Sequence, residues 1–202
     1  MFAGKAHAGE NVQVKAAALL ITGGALVELS AADAREVVRY MRPLRVPAGQ
    51  VVIREGECQR NDFMALVLDG EVTVESNVAA AHDSMVVSVL GPGSLIGDMG
   101  IIDGGPRSAT CTAATELALA VLTRDALTRL MEANPGVAAR LLLAIAKRIA
   151  DHLRETNRKL MTFAQVSKAL QQELDAVHGV NKRLLDQLAG PQGTSGDAGP
   201  RR

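Results

Sequence analysis

From Leu44 to Leu122 the chain is punctuated by glycine-containing turns roughly every ten residues, and the runs between them are short and apolar. Gln50-Val51-Val52-Ile53 follows Pro47-Ala48-Gly49. Phe63 to Leu68 leads into Asp69-Gly70, a hairpin signal, and then into Glu71-Val72-Thr73-Val74-Glu75. Ser84 to Leu90 stops at Gly91-Pro92-Gly93, and Thr110 to Thr123 reads as one last long run. Runs this short cannot make stable helices, and their spacing fits strands joined by turns. The pattern predicts six to eight short strands in a β-roll, sandwich or barrel.

Helical signals flank this region. Ser30 is a good N-cap, Asp33 lies in the first turn, Ala34, Val37, Val38 and Met41 fall at helical spacing, and Pro43 ends the run. Residues 1 to about 15 read as irregular. A short helix is expected from Arg124 to Ala133. Asn134-Pro135 breaks it, and Pro135 opens a long helix at a position where its missing N–H costs nothing. In that helix Leu142, Ala146, Ile149, Leu153, Thr156, Leu160, Phe163, Ser167, Leu170, Leu174, Val177, Asn181, Leu184 and Leu188 alternate steps of four and three. This is the seam of a coiled coil, and Asn181 is the kind of buried polar residue that fixes register and strand number. Two readings stay open: a parallel two-stranded coil, or an amphipathic helix folded back on its own domain. Gly179 is expected to weaken or interrupt the helix. The Gly- and Pro-rich residues 190–202 read as a disordered tail.

Composition excludes several classes of function. Twenty-two Lys and Arg balance 22 Asp and Glu, which argues against coating nucleic acid by bulk charge. Aromatics are 2% with no Trp, too few for readers that stack several bases. Cys58 and Cys111 are far apart, and His7, His82, His152 and His178 are scattered, so neither a disulfide scaffold nor a metal site is expected. No nucleophile–base or paired-carboxylate motif stands out, and an enzyme is not expected. Ala16 to Val27 resembles a short secretory core, but Glu10 precedes it and Gly23-Gly24 interrupts it. No stretch is long enough to span a membrane, and the chain reads as cytoplasmic.

The chemistry is concentrated between Ile96 and Thr110, Ile-Gly-Asp-Met-Gly-Ile-Ile-Asp-Gly-Gly-Pro-Arg-Ser-Ala-Thr. Gly97 and Gly100 let backbone N–H groups approach an anion, and a short helix beginning there aims its positive end at it. Arg107 adds a fork of charged donors, and Asp98 can accept from a hydroxyl such as a ribose 2′-OH. The same residues also read as a Gly-rich turn carrying a surface arginine.

Gly97-Asp98-Met99-Gly100 followed by Pro106-Arg107-Ser108-Ala109-Thr110 resembles the phosphate-binding cassette of cyclic-nucleotide-binding domains. These occur in kinase A regulatory subunits, nucleotide-gated channels and the bacterial catabolite-activator group. Pro47-Ala48-Gly49-Gln50, Arg54-Glu55-Gly56-Glu57, Leu68 to Val72, Leu90 to Gly93 and Asn134-Pro135 are similar to the family's turns and helix start. The resemblance covers residues 25–160. It implies an α+β fold: a double-stranded β-helix (jelly-roll) β-roll with flanking N-terminal helices and a long C-terminal coiled-coil-like helix. It divides the chain into an extension (1–25), the roll (26–134), a dimerisation helix (135–189) and the tail (190–202).

The resemblance also implies roles. Asp98 stands at the glutamate that binds the ribose, and Arg107 at the arginine that binds the cyclic phosphate. Ile96, Gly97, Met99, Gly100, Pro106, Ser108, Ala109 and Thr110 complete the cassette. Arg148 is in register with an arginine near the nucleotide, and His152 and Leu153 replace a Thr-Ser pair that reads adenine. Asp98 is one methylene shorter than glutamate, and with the changed pair it leaves the ligand open: cAMP comes first, with cGMP, a cyclic dinucleotide or no ligand as the alternatives. No winged helix-turn-helix follows Leu160. Arg154, Arg158, Lys159, Lys182 and Arg183 read as solvated helix faces rather than a DNA reader, and residues 137–189, with nine Lys and Arg against five Asp and Glu, are mildly basic. The expectation is a stand-alone, homodimeric sensor of cAMP or cGMP that signals to a protein partner, with no cofactor, no direct nucleic acid and no membrane. The alternatives are a scaffold with a degenerate cassette acting through its coiled coil, or a transcription regulator lacking its own DNA-binding domain.

Overall fold

The segment Phe63–Asp69 (β3) is apolar at almost every position because both of its faces are covered. Met64, Leu66 and Leu68 pack against helices on one side, while Ala65 and Val67 face a second sheet on the other. This structure, a computed structural model, describes residues 3–59, 61–77 and 84–188. Eight strands occur among the described residues: β1 (Arg42–Val46), β2 (Val51–Ile53), β3, β4 (Val72–Asn77), β5 (Ser84–Leu90), β6 (Leu95–Ile96), β7 (Thr110–Ala113) and β8 (Leu117–Thr123). They form two antiparallel four-stranded sheets, ordered β1-β8-β3-β6 and β2-β7-β4-β5. Val46, Ile53, Ala65, Val67, Val72, Ile96, Cys111, Ala113, Leu117 and Leu119 fill the space between them. This is the expected α+β roll.

Helices α1 (Ala3–Leu20), α2 (Ala31–Arg39), α4 (Arg124–Ala133) and the start of α5 (Pro135–Leu188) cover the outer face of the first sheet. Ser30 caps α2 by accepting from the Asp33 N–H at 3.1 Å, and Thr123 caps α4 by accepting from Ala126 N–H at 3.2 Å. Asp33 is buried and accepts two bonds from Arg140 of α5, at 2.6 and 2.9 Å, and one from the Ser30 hydroxyl at 2.8 Å. The Arg140 hydrogen bonds, then that of Ser30, hold its carboxyl down at about 2.

Four expectations change. Residues 3–20 form a helix rather than an irregular segment: the stretch is alanine-rich, and Ala16, Ala17 and Leu20 anchor its end in the core. Asp69-Gly70 is not a hairpin turn, because β3 and β4 belong to different sheets. Gly70, at φ +83°, carries the chain across, and a Cβ there would lie 2.3 Å from the Glu116 carbonyl oxygen. Thr110–Thr123 is two strands in different sheets, separated by Ala114-Thr115-Glu116. The α5 helix runs through Gly179 without a break, since one glycine costs only about 1 kcal/mol in a long helix. The expected tail, 190–202, lies outside the described residues.

The chain divides after His152 into two units. In the first, Leu142 and Ile149 of the heptad series pack against the helical core. In the second, Leu153, Leu160, Phe163, Leu170, Leu174, Val177 and Leu184 are 51–71% exposed.

Candidate functional site: the cassette between β6 and β7

Strand β6 ends at Gly97, whose φ of +74° turns the chain into the six-residue helix α3 (Asp98–Asp103); Gly104, at φ +67°, ends that helix. The loop that follows leads through Arg107 into β7. Arg107 is only 4% exposed. Its Nη1 donates to the Gly97 carbonyl at 3.1 Å and its Nη2 to the Phe63 carbonyl at 3.0 Å, and the guanidinium stacks 4.5 Å from the Phe63 ring centroid. A Cβ at either Gly97 or Gly100 would sit 2.6 Å from Arg107 Nη1, so glycine at both positions makes room for this cation. Its backbone pairs with the Arg54–Glu57 turn: Gly56 N–H donates to the Arg107 carbonyl at 2.8 Å and Arg107 N–H to the Glu57 carbonyl at 3.2 Å. Burial lowers the proton affinity of the guanidinium, but an arginine remains charged at neutral pH. Beside it, burial pushes the Cys111 thiol up to about 11, so it is a neutral thiol.

Asp98 opens α3 and accepts from Arg148 Nε at 3.0 Å. Arg148 reaches over from α5 and also donates to the Leu95 carbonyl at 3.3 Å and the Gly24 carbonyl at 2.5 Å. One guanidinium thus joins α5, the cassette and the α1–α2 loop.

The remaining expected residues sort by what their side chains do. Ile96 is 3% exposed and belongs to the core between the sheets, so only its backbone faces the loop. Gly100 is buried; Met99, Pro106 and Ser108 are exposed, and the Ser108 hydroxyl lies 3.8 Å from the Met99 sulfur. Ala109 and Thr110 are half-buried, and the Thr110 hydroxyl accepts from Glu55 N–H at 3.1 Å. His152 is exposed, one turn beyond Arg148. Phe63, Asn61, Gly24, Leu95 and Arg124 also hold the site and were not anticipated. Asn61 donates to the carbonyls of Gly104 and, at 3.1 Å, Gly105; Arg124 donates to that of Gly100 at 3.0 Å. Most of these contacts end on backbone carbonyls, which carry no sequence signal. Among the described residues there is no group of three side chains suited to a metal, and no helix is long and apolar enough to cross a membrane.

Comparison with known proteins gives a consistent result. The profile of the cyclic nucleotide-binding domain matches residues 43–134. A cyclic nucleotide-binding domain from Methylobacillus flagellatus superposes with a TM-score of 0.65 at 26% identity, covering 76% of this chain and 84% of that one. The N-terminal domain of a transcriptional regulator from Streptomyces coelicolor gives 0.58 at 30% identity, covering 69% and 94%. A cyclic nucleotide-gated potassium channel of Rhizobium etli is 40% identical over 111 residues, 55% of this chain and 29% of the channel. A CRP-like cAMP-activated global transcriptional regulator of Mycobacterium tuberculosis is 29% identical over 124 residues, 61% of this chain and 52% of the regulator. The chain therefore spans about half or less of the length of these two full-length relatives. With the two-sheet roll, the glycine-framed cassette and the family profile, residues 43–134 of this chain form a domain of the cyclic nucleotide-binding family.

Proposed function

We propose that this chain is a cyclic-nucleotide sensor whose roll, residues 26–134, takes cAMP or cGMP at the cassette. The observation that carries the reading is a buried cation, Arg107, lying against a glycine-lined turn from which Asp98 opens the short helix α3. An anion fits the cation and the backbone N–H groups, and a hydroxyl one ring bond away fits the carboxylate. Gly97, Met99, Gly100, Ser108 and Ala109 supply the surrounding contacts, with Ile96, Pro106 and Thr110 shaping the loop, and Arg148 and His152 approach from α5. The nucleotide binds non-covalently and no other cofactor takes part.

The output follows from Arg148. A ribose hydroxyl competes with Arg148 for the Asp98 carboxylate, or joins the pair, so ligand and α5 are linked through one side chain. We assign residues 135–189 to homodimerisation through the heptad stripe, with the signal read by a protein partner.

Isothermal titration calorimetry with cAMP and cGMP tests the reading. Saturable heat with a 1:1 stoichiometry per chain, lost in Arg107→Ala, is expected. Absence of heat and of thermal shift at millimolar ligand overturns it. A second reading, a scaffold with a degenerate cassette, draws on Asp98 being one methylene short and already paired with Arg148. Asp98→Glu separates the two: tighter binding marks a competent, detuned pocket, whereas a cassette silent in both forms favours the scaffold.

A further inference from the structure

We infer that Arg124, the first residue of α4, is a positioning residue for the cassette, and that it ties the cassette's conformation to α4. The inference deepens the sensor reading and rests on it for the ligand arm of its test. A helix of six residues such as α3 has too few internal hydrogen bonds to hold its own shape, so its position is set by what grips it. Arg148 holds its first residue through the Asp98 carboxylate, and two further guanidinium groups, from different elements, meet at Gly100. Arg107 lies against its Cα, where a Cβ would be 2.6 Å from Nη1. Arg124 Nη2 donates to its carbonyl at 3.0 Å, and the same carbonyl takes the Gly104 N–H at 3.0 Å that closes the last turn.

The guanidinium of Arg124 also lies against Gly104: a Cβ built there would be 3.0 Å from both Nη1 and Nη2. Replacing the glycine would push that cation aside, and its φ of +67° disfavours any other residue. The Arg124 backbone is itself fixed. Its N–H donates to the Asp62 carbonyl at 2.7 Å, and its carbonyl accepts from the Thr128 hydroxyl at 3.1 Å. Ala126, Leu127 and Leu130 then anchor α4 in the helical core. A shift of the C-terminal end of α3 must therefore break the Arg124 bond or move the first turn of α4. A cation that merely stabilised a helix end through its dipole would not link two elements in this way.

Hydrogen exchange on the ligand-free full chain, with nucleotide titration beside it, decides the matter. In Arg124→Ala, amides 101–104 should exchange about tenfold faster, the effect of losing one charge-assisted hydrogen bond, while those of β3 and β8 keep their wild-type rates. The Kd for cAMP or cGMP should rise about tenfold, and Arg124→Lys should recover part of both losses. Unchanged α3 exchange overturns the inference. So does an effect spread evenly over the sheets, or a loss that lysine does not relieve at all. Should the alanine variant fail to fold, Arg124→Lys and Arg124→Gln are read for the same local pattern against wild type. If wild type takes up neither nucleotide, the sensor reading falls, and the exchange pattern alone decides the coupling.

Discussion

Arg107 was legible in the sequence as a cation beside a glycine-rich turn, but not as a buried one. Its two carbonyl partners and the Phe63 ring come from segments 10 and 44 residues away, and only folding brings them to it. Lysine at this position keeps the charge but not the planar fork that reaches both carbonyls. Arg107→Lys is expected to lose at least tenfold in nucleotide affinity and about 1–3 kcal/mol in stability, read by calorimetry and by urea denaturation. Asp33 was legible only as a helix-start residue, yet it also receives Arg140 from 107 residues away. Its carboxyl is held at about 2 against an ordinary 3.8, so its stabilising effect is complete above about pH 4 and is lost as pH falls through 2. The Tm difference between wild type and Asp33→Asn should accordingly be largest above pH 4 and shrink toward pH 2. A difference that stays constant over that range contradicts the role given to the ion pair.

At the scale of elements, the capped helices were the clearest. Ser30 and Thr123 make local bonds to the third residue of their helices, so α2 and α4 are nearly decided by their own sequences. The strands were legible as strands but not as partners. Asp69-Gly70 has the chemistry of a hairpin turn, yet the flanking strands separate into different sheets, because sheet membership depends on partners far along the chain. The cassette turn illustrates the same division. Gly97 needs a positive φ for local reasons and the absence of a Cβ for a tertiary one, the proximity of Arg107. Gly97→Ala meets both penalties and should cost about 1–3 kcal/mol in urea denaturation, with nucleotide binding weakened beyond what the lost stability explains.

For the molecule as a whole, α5 serves two ends. Leu142 and Ile149 are used by the core of residues 1–152, while from Leu153 the apolar stripe remains exposed. A second copy in parallel register would place Asn181 opposite Asn181 and cover Leu160, Phe163, Leu170 and Leu174. Leu160→Glu combined with Leu174→Glu is expected to convert a dimer to a monomer in sedimentation equilibrium, and Asn181→Leu to tighten association while broadening the range of oligomers. A wild-type chain that sediments as a monomer at tens of micromolar removes the dimer from the proposal.

The sequence by itself determined the strand-and-turn rhythm, the helix caps, the heptad stripe and the position of the cassette. Each rests on interactions within a few residues, or on a periodicity that one element imposes. Tertiary structure alone decided which strands share a sheet and that Arg107 is buried. It also decided that Asp98 meets Arg148 and that Arg124 grips Gly100. The side-chain contacts among these join groups 10 to 50 residues apart, several of them backbone carbonyls, and local chemistry does not encode a contact of that kind.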